Sequence, residues 1–106
     1  MARTLVRGST RNVFSDLGFG HEEAASLKIR ADLMIEIERL MKRRKLTQTA
    51  AAKLLGVTQP RVSDLVRGKI ELFSIDTLVD MLTRAGVRVS VDVRPSHGKA
   101  KGAEAA

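Results

Sequence analysis

Catalysis has little to work with in this chain. Its 106 residues include no cysteine and two histidines, His21 and His97. Glu22 and Glu23 are sequence neighbours, so on a helix they diverge and cannot share one proton-transfer site. No glycine-rich phosphate loop follows a strand, and no thiolate zinc site can form. The reading is therefore a non-enzyme, with no catalytic residues, no metal and no cofactor. The usable chemistry is hydrogen bonding. In LGVTQPRVSDLVRGK, Leu55 to Lys69, the residues Gln59, Arg61, Ser63 and Asp64 follow Thr58 closely. Glutamine can pair bidentately with adenine, arginine with guanine, and a carboxylate can accept from a cytosine amino group. Arg61 can equally clamp a phosphate, and Asp64 can equally serve a surface ion pair.

The charge distribution points the same way. The formal net charge is +7 at pH 7, with an isoelectric point near 10.6. Lys42, Arg43, Arg44, Lys45, Lys53, Arg61, Arg67 and Lys69 lie in one window with Asp64 as its single acid, so the window alone carries +7. Everything outside it sums to zero. Concentrated positive charge suits a polyanion such as nucleic acid, although a solvated basic face would look the same. Gln48, Arg43, Arg44, Thr58, Arg67 and Lys69 are the candidate phosphate contacts.

Such residues need elements to position them. Leu33, Ile37 and Leu40, with Met34 and Met41 beside them, form an apolar stripe at helical spacing. Residues 21–45 thus read as one long helix or as two with a kink near Ala31. Thr47 is placed to cap a helix from Gln48 to Leu55, which Gly56 ends. Thr58 is placed to cap the next helix, to about Arg67, which Gly68 ends. Pro60 falls in that helix's first turn, where the missing N–H costs nothing and the fixed φ is already helical. Ala51, Leu55, Val57, Val62 and Leu65 are spaced to form a shared core, with Ala52 small where the two helices approach. Two short helices about a glycine turn, over residues 48–67, match a helix-turn-helix, whose second helix enters the DNA major groove. Ser74 caps a further helix to Ala85, with Ile75, Leu78, Val79 and Leu82 facing inward.

The two ends differ from this. Residues 1–20 read as an irregular arm, with its glycines at Gly8, Gly18 and Gly20. Val87, Val89, Val91 and Val93 alternate with polar residues, so 87–94 reads as a strand with one buried face. A lone strand needs a partner, which can be its own copy, the arm or another protein. Pairing across a dimer is the preferred expectation, with those four valines as dimerisation residues. Residues 95–106 read as a disordered tail. The basic N-terminus has no apolar core of a secretory signal, and no apolar run approaches the ~18 residues of a membrane span. A cytoplasmic protein without membrane contact is expected.

The stretch LTQTAAAKLLGVTQPRVSDLVRGK resembles the XRE family of phage-repressor-like helix-turn-helix proteins, over about Ile29 to Gly86. GSTRNVFSDLGF, FSIDTLVDMLTRAG and VRVSVDVRP extend the resemblance, over residues 8–95, to HigA-type antitoxins of bacterial toxin–antitoxin pairs. The fold so implied is mainly α: a five-helix domain over 21–86 with a C-terminal strand. The resemblance further implies a homodimer on a palindromic double-stranded DNA operator. It also implies a RelE-like ribonuclease toxin as a neutralised partner, and repression of the shared operon. The alternative is a solitary repressor with no toxin. Within the motif, Gln48 matches the family's phosphate-contacting glutamine and Gln59 its leading recognition glutamine. Pro60 replaces the next, usually polar, reading position and shifts weight to Arg61.

Overall fold

The computed structural model describes residues 3–6 and 12–95. The sequence-based tail from Ser96 onward, the arm's residues 7–11 and His97 lie outside the described residues. The chain runs β1 (Arg3–Val6), α1 (Val13–Asp16), α2 (His21–Arg43), α3 (Gln48–Leu55), α4 (Gln59–Val66), a 3-10 turn (Ile70–Leu72), α5 (Ile75–Arg84) and β2 (Arg88–Val91). The described chain has the expected five α-helices, but α1 precedes residue 21, in the segment read as an irregular arm, and four of them fall within 21–86. Residues 21–43 form one helix, and Ala31 lies inside it without a break. The segment contains no proline or glycine to interrupt the ladder.

Burial explains why the helices assemble. Leu33, Ile37, Leu40 and Met41 of α2 meet Ala51, Ala52 and Leu55 of α3, Val62 and Leu65 of α4, and Leu78, Met81 and Leu82 of α5. Phe73 and Val87 complete this core. Each fully buried large apolar side chain contributes roughly 1.5–3 kcal/mol, whereas an exposed ion pair such as Glu36–Arg39 contributes at most about 1 kcal/mol. Core burial holds the domain.

Residues 12–20 of the arm are more ordered than Gly18 and Gly20 suggest. Asn12 caps α1 by accepting from the Phe14 N–H at 3.0 Å, and its Nδ2 donates to the Ala24 carbonyl at 3.0 Å. Phe14 and Phe19 stack edge to face, with centroids 6.0 Å apart. Gly18, at φ +97°, makes the intervening turn. Asn12 thus pins a four-residue helix to α2, and the aromatic pair fastens it to the turn that leads into α2.

The C-terminal strand has a partner within the chain. β2 pairs with β1 in parallel, Arg3 opposite Arg88 through Val6 opposite Val91. A parallel pair requires a long crossover, and here the helical domain supplies it. The opposite edge of β2 has no strand beside it among the described residues. The strand is also shorter than the valine alternation suggests. Val87 is buried ahead of it and Val89 packs partly on the core, whereas Val91 and Val93 are 64% and 86% exposed.

Candidate nucleic-acid interface

The α3–turn–α4 unit is built as its residues dictate. Thr47 Oγ1 accepts from the Ala50 N–H at 3.0 Å, capping α3. Gly56 ends α3 in the left-handed region at φ +73°, and the Arg84 side chain lies over it. A Cβ added there would come within 2.5 Å of Arg84 Cδ. Glycine therefore serves both the turn and the close approach. Val62 and Leu65 are fully buried and dock α4 on the core.

That docking decides which side chains face outward. With 100° per residue, Val62 and Leu65 define one side of α4. Pro60, Ser63, Asp64 and Arg67 fall on the other, with Gln59 at the flank beside Val62. Gln59, Pro60 and Arg67 are exposed, and Ser63 and Asp64 are half-buried. Pro60 occupies the first turn, as its chemistry requires. Thr58 is the N-cap residue by backbone geometry, but its side chain makes no capping hydrogen bond, unlike Thr47 and Ser74. Its exposed hydroxyl is thus uncommitted to the helix.

Arg61 lies on the flank between these faces, one residue before Val62 and four before Leu65. Its Nη1 donates to the Leu72 carbonyl at 3.0 Å, and its guanidinium stacks 4.3 Å from the centre of the Phe73 ring. This contact ties α4 to the segment leading into α5. The sequence reading missed it, although Arg61's place beside the buried stripe was a usable signal.

The cationic residues are spread rather than gathered. Arg67 and Lys69 lie at the C-terminal end of α4, and Lys69 Nζ approaches Asp64 Oδ1 at 3.9 Å. Gln48 starts α3, with exposed Arg43 just before it at the end of α2. Arg44 turns elsewhere: its Nη2 donates to the Ala85 carbonyl at 3.4 Å, at the end of α5. The four valines are not one surface, since Val87 is core and Val91 and Val93 are exposed.

Among the described residues no group of three or more His, Asp or Glu side chains could hold a metal ion. No helix there is long and apolar enough to cross a membrane. The geometry offers one arrangement: a short helix docked by two residues, with its opposite face polar and cations at its far end. A family model described as a helix-turn-helix domain matches residues 13–94, well over half of the chain. A comparison with curated proteins finds no match.

Proposed function

The chain belongs to the helix-turn-helix domain family, a DNA-binding one, and from that premise we propose that it is a sequence-specific repressor of its own operon. In this reading α4 lies in the major groove. Gln59 and Ser63 meet base edges, Asp64 accepts from a cytosine amino group, and Arg61 brings its remaining N–H groups to the same edge. Thr58, Gln48, Arg43, Arg67 and Lys69 hold phosphates, with Arg44 at the margin. The observation that carries the reading is the polar, outward face of α4 with Ser63, Asp64 and Arg67, and exposed Gln59 at its flank.

The reading extends to a homodimer on a palindromic operator, with half-sites about 34 Å apart. The open edge of β2, with Val91 and Val93 beside it, is the proposed contact between copies. The resemblance to HigA-type antitoxins adds a ribonuclease toxin as the protein held in the same complex. A solitary repressor would share the DNA chemistry and lack the toxin.

A gel shift with the upstream region of the chain's own reading frame tests the DNA part. Gln59→Ala is expected to weaken specific binding by about 1–3 kcal/mol while leaving binding to random DNA nearly unchanged. Equal loss on both DNAs would show that Gln59 only holds a phosphate. For the antitoxin part, a neighbouring short basic reading frame should be toxic when expressed alone and harmless with this chain. Failure of that rescue leaves the solitary repressor.

A further inference from the structure

A second surface lies away from α4's polar face. α1 has no buried residue, yet its segment is apolar. Val13 is 51%, Leu17 71% and Phe19 42% exposed, and Ile35 of α2 is 45% exposed. Phe14 and Ile35 also line a groove of about 300 Å³ with Met34, Leu65 and Ile70. The groove ends at Gly68, the opposite end of α4 from Gln59. Asn12 and the Phe14–Phe19 pair spend their bonds holding this platform in place while its apolar side chains face solvent. Single exposed apolar residues are ordinary, but a contiguous group beside a groove marks an interaction surface.

Charge indicates what covers it. Residues 12–38 carry Asp16, Glu22, Glu23, Asp32, Glu36 and Glu38 against Lys28 and Arg30, a net −4, whereas residues 39–69 carry +8. Lys28 is already spent on Asp32, and Arg39, just past this stretch, on Glu36, so the exposed Glu22 and Glu23 and the groove's Glu38 carry the acidic rim. An acidic rim repels DNA and anionic membranes. It also disfavours a two-fold contact between copies, which would set the same acidic patch against itself. We propose that the α1–α2 face docks a basic protein, with Leu17, Phe19 and Ile35 as apolar anchors and Glu22, Glu23 and Glu38 as the charged rim. This gives the partner half of the functional reading a place and a chemistry, and it stands whether or not that partner is a nuclease. The groove ends at Gly68, between the proposed phosphate contacts Arg67 and Lys69, so the partner borders that end of α4 and leaves the base-reading end at Gln59 clear.

The test uses the full chain, immobilised, in lysate of its native cells at low salt. The retained protein is identified by mass spectrometry, produced separately and titrated against the chain by calorimetry. The expected partner has an isoelectric point above about 9. Leu17→Asp with Phe19→Asp should weaken its binding at least about 30-fold. Glu22→Lys with Glu23→Lys should slow association and flatten its salt dependence. Both variants should keep the gel shift on upstream DNA, which separates loss of this face from loss of the DNA reading or of the fold. Should the gel shift be absent in the parent chain as well, circular dichroism of the variants reports the fold. The proposal is overturned if no basic protein is retained, or if the retained one ignores both variants. It is equally overturned if Leu17→Asp with Phe19→Asp dissociates a dimer in sedimentation, making a second copy the occupant. Faster hydrogen exchange over residues 13–19 after deletion of 96–106 would make the chain's own terminus the occupant.

Discussion

Arg61 has two physical claims on it. Its guanidinium suits a guanine edge, yet its helical angle places it beside Val62 and Leu65, within reach of Phe73 and the Leu72 carbonyl. A stacked guanidinium contributes about 0.5–2 kcal/mol and a neutral carbonyl bond about 1 kcal/mol. Arg61→Ala should therefore lower the unfolding free energy by about 1–2 kcal/mol, with an unchanged urea m-value. Arg61→Lys should recover only part of this, because an ammonium lacks the planar fork that stacks and donates together. Full stability in Arg61→Ala would mean that the contact is incidental. Residue types alone made Arg61 a base reader; its angular position beside two buried residues carries the further information. Gly56 was legible in the other direction: a turn glycine was foreseeable, but Arg84 lying over it depends on a contact across 28 positions of sequence.

The same contrast holds for elements. Thr47 and Ser74 were readable as caps because a hydroxyl before a helix meets an unpaired N–H three residues on, and both do so here. Thr58 has the same chemistry and cap backbone, yet its hydroxyl makes no such bond. Replacement by alanine should separate the two roles. Thr47→Ala should cost about 1 kcal/mol in urea unfolding. Thr58→Ala should stay within about 0.5 kcal/mol of the parent in the same assay, while weakening the complex with upstream DNA. A stability loss at Thr58 equal to that at Thr47 would return its hydroxyl to the helix. The helical elements were legible because their apolar period is long and strong, as in the Leu33–Met41 stripe. α1 was not: four residues give no period, and its order comes from Asn12 reaching Ala24 and Phe14 meeting Phe19. β2 shows the limit from the other side. Its valine alternation revealed a strand but not its partner, because parallel register with β1 is set by where the whole helical domain returns the chain.

At the scale of the molecule, charge is segregated along the chain: acidic with apolar exposure over α1 and the first part of α2, basic from Arg39 to Lys69. Composition revealed the basic half at once. The acidic half was masked, since a total of +7 hides a local −4. The basic half makes a quantitative demand. In the proposed complex Arg43, Arg67 and Lys69 are the phosphate-holding cations, while Arg44 is engaged at Ala85. Three phosphates per subunit and two subunits give a slope of log K against log salt near −5, at about 0.9 per phosphate. A single subunit on DNA would give about half of that. Gel shifts from low to moderate salt thus report stoichiometry and charge together. Arg67→Ala should reduce the slope by about 2 in a dimer, one phosphate for each copy, whereas Arg44→Ala should leave it nearly unchanged. A slope near −5 that falls to half when residues 88–95 are deleted would tie the second subunit to β2. A slope near −5 that survives this deletion would place the contact between copies elsewhere, and a flat response would remove the phosphate contacts altogether.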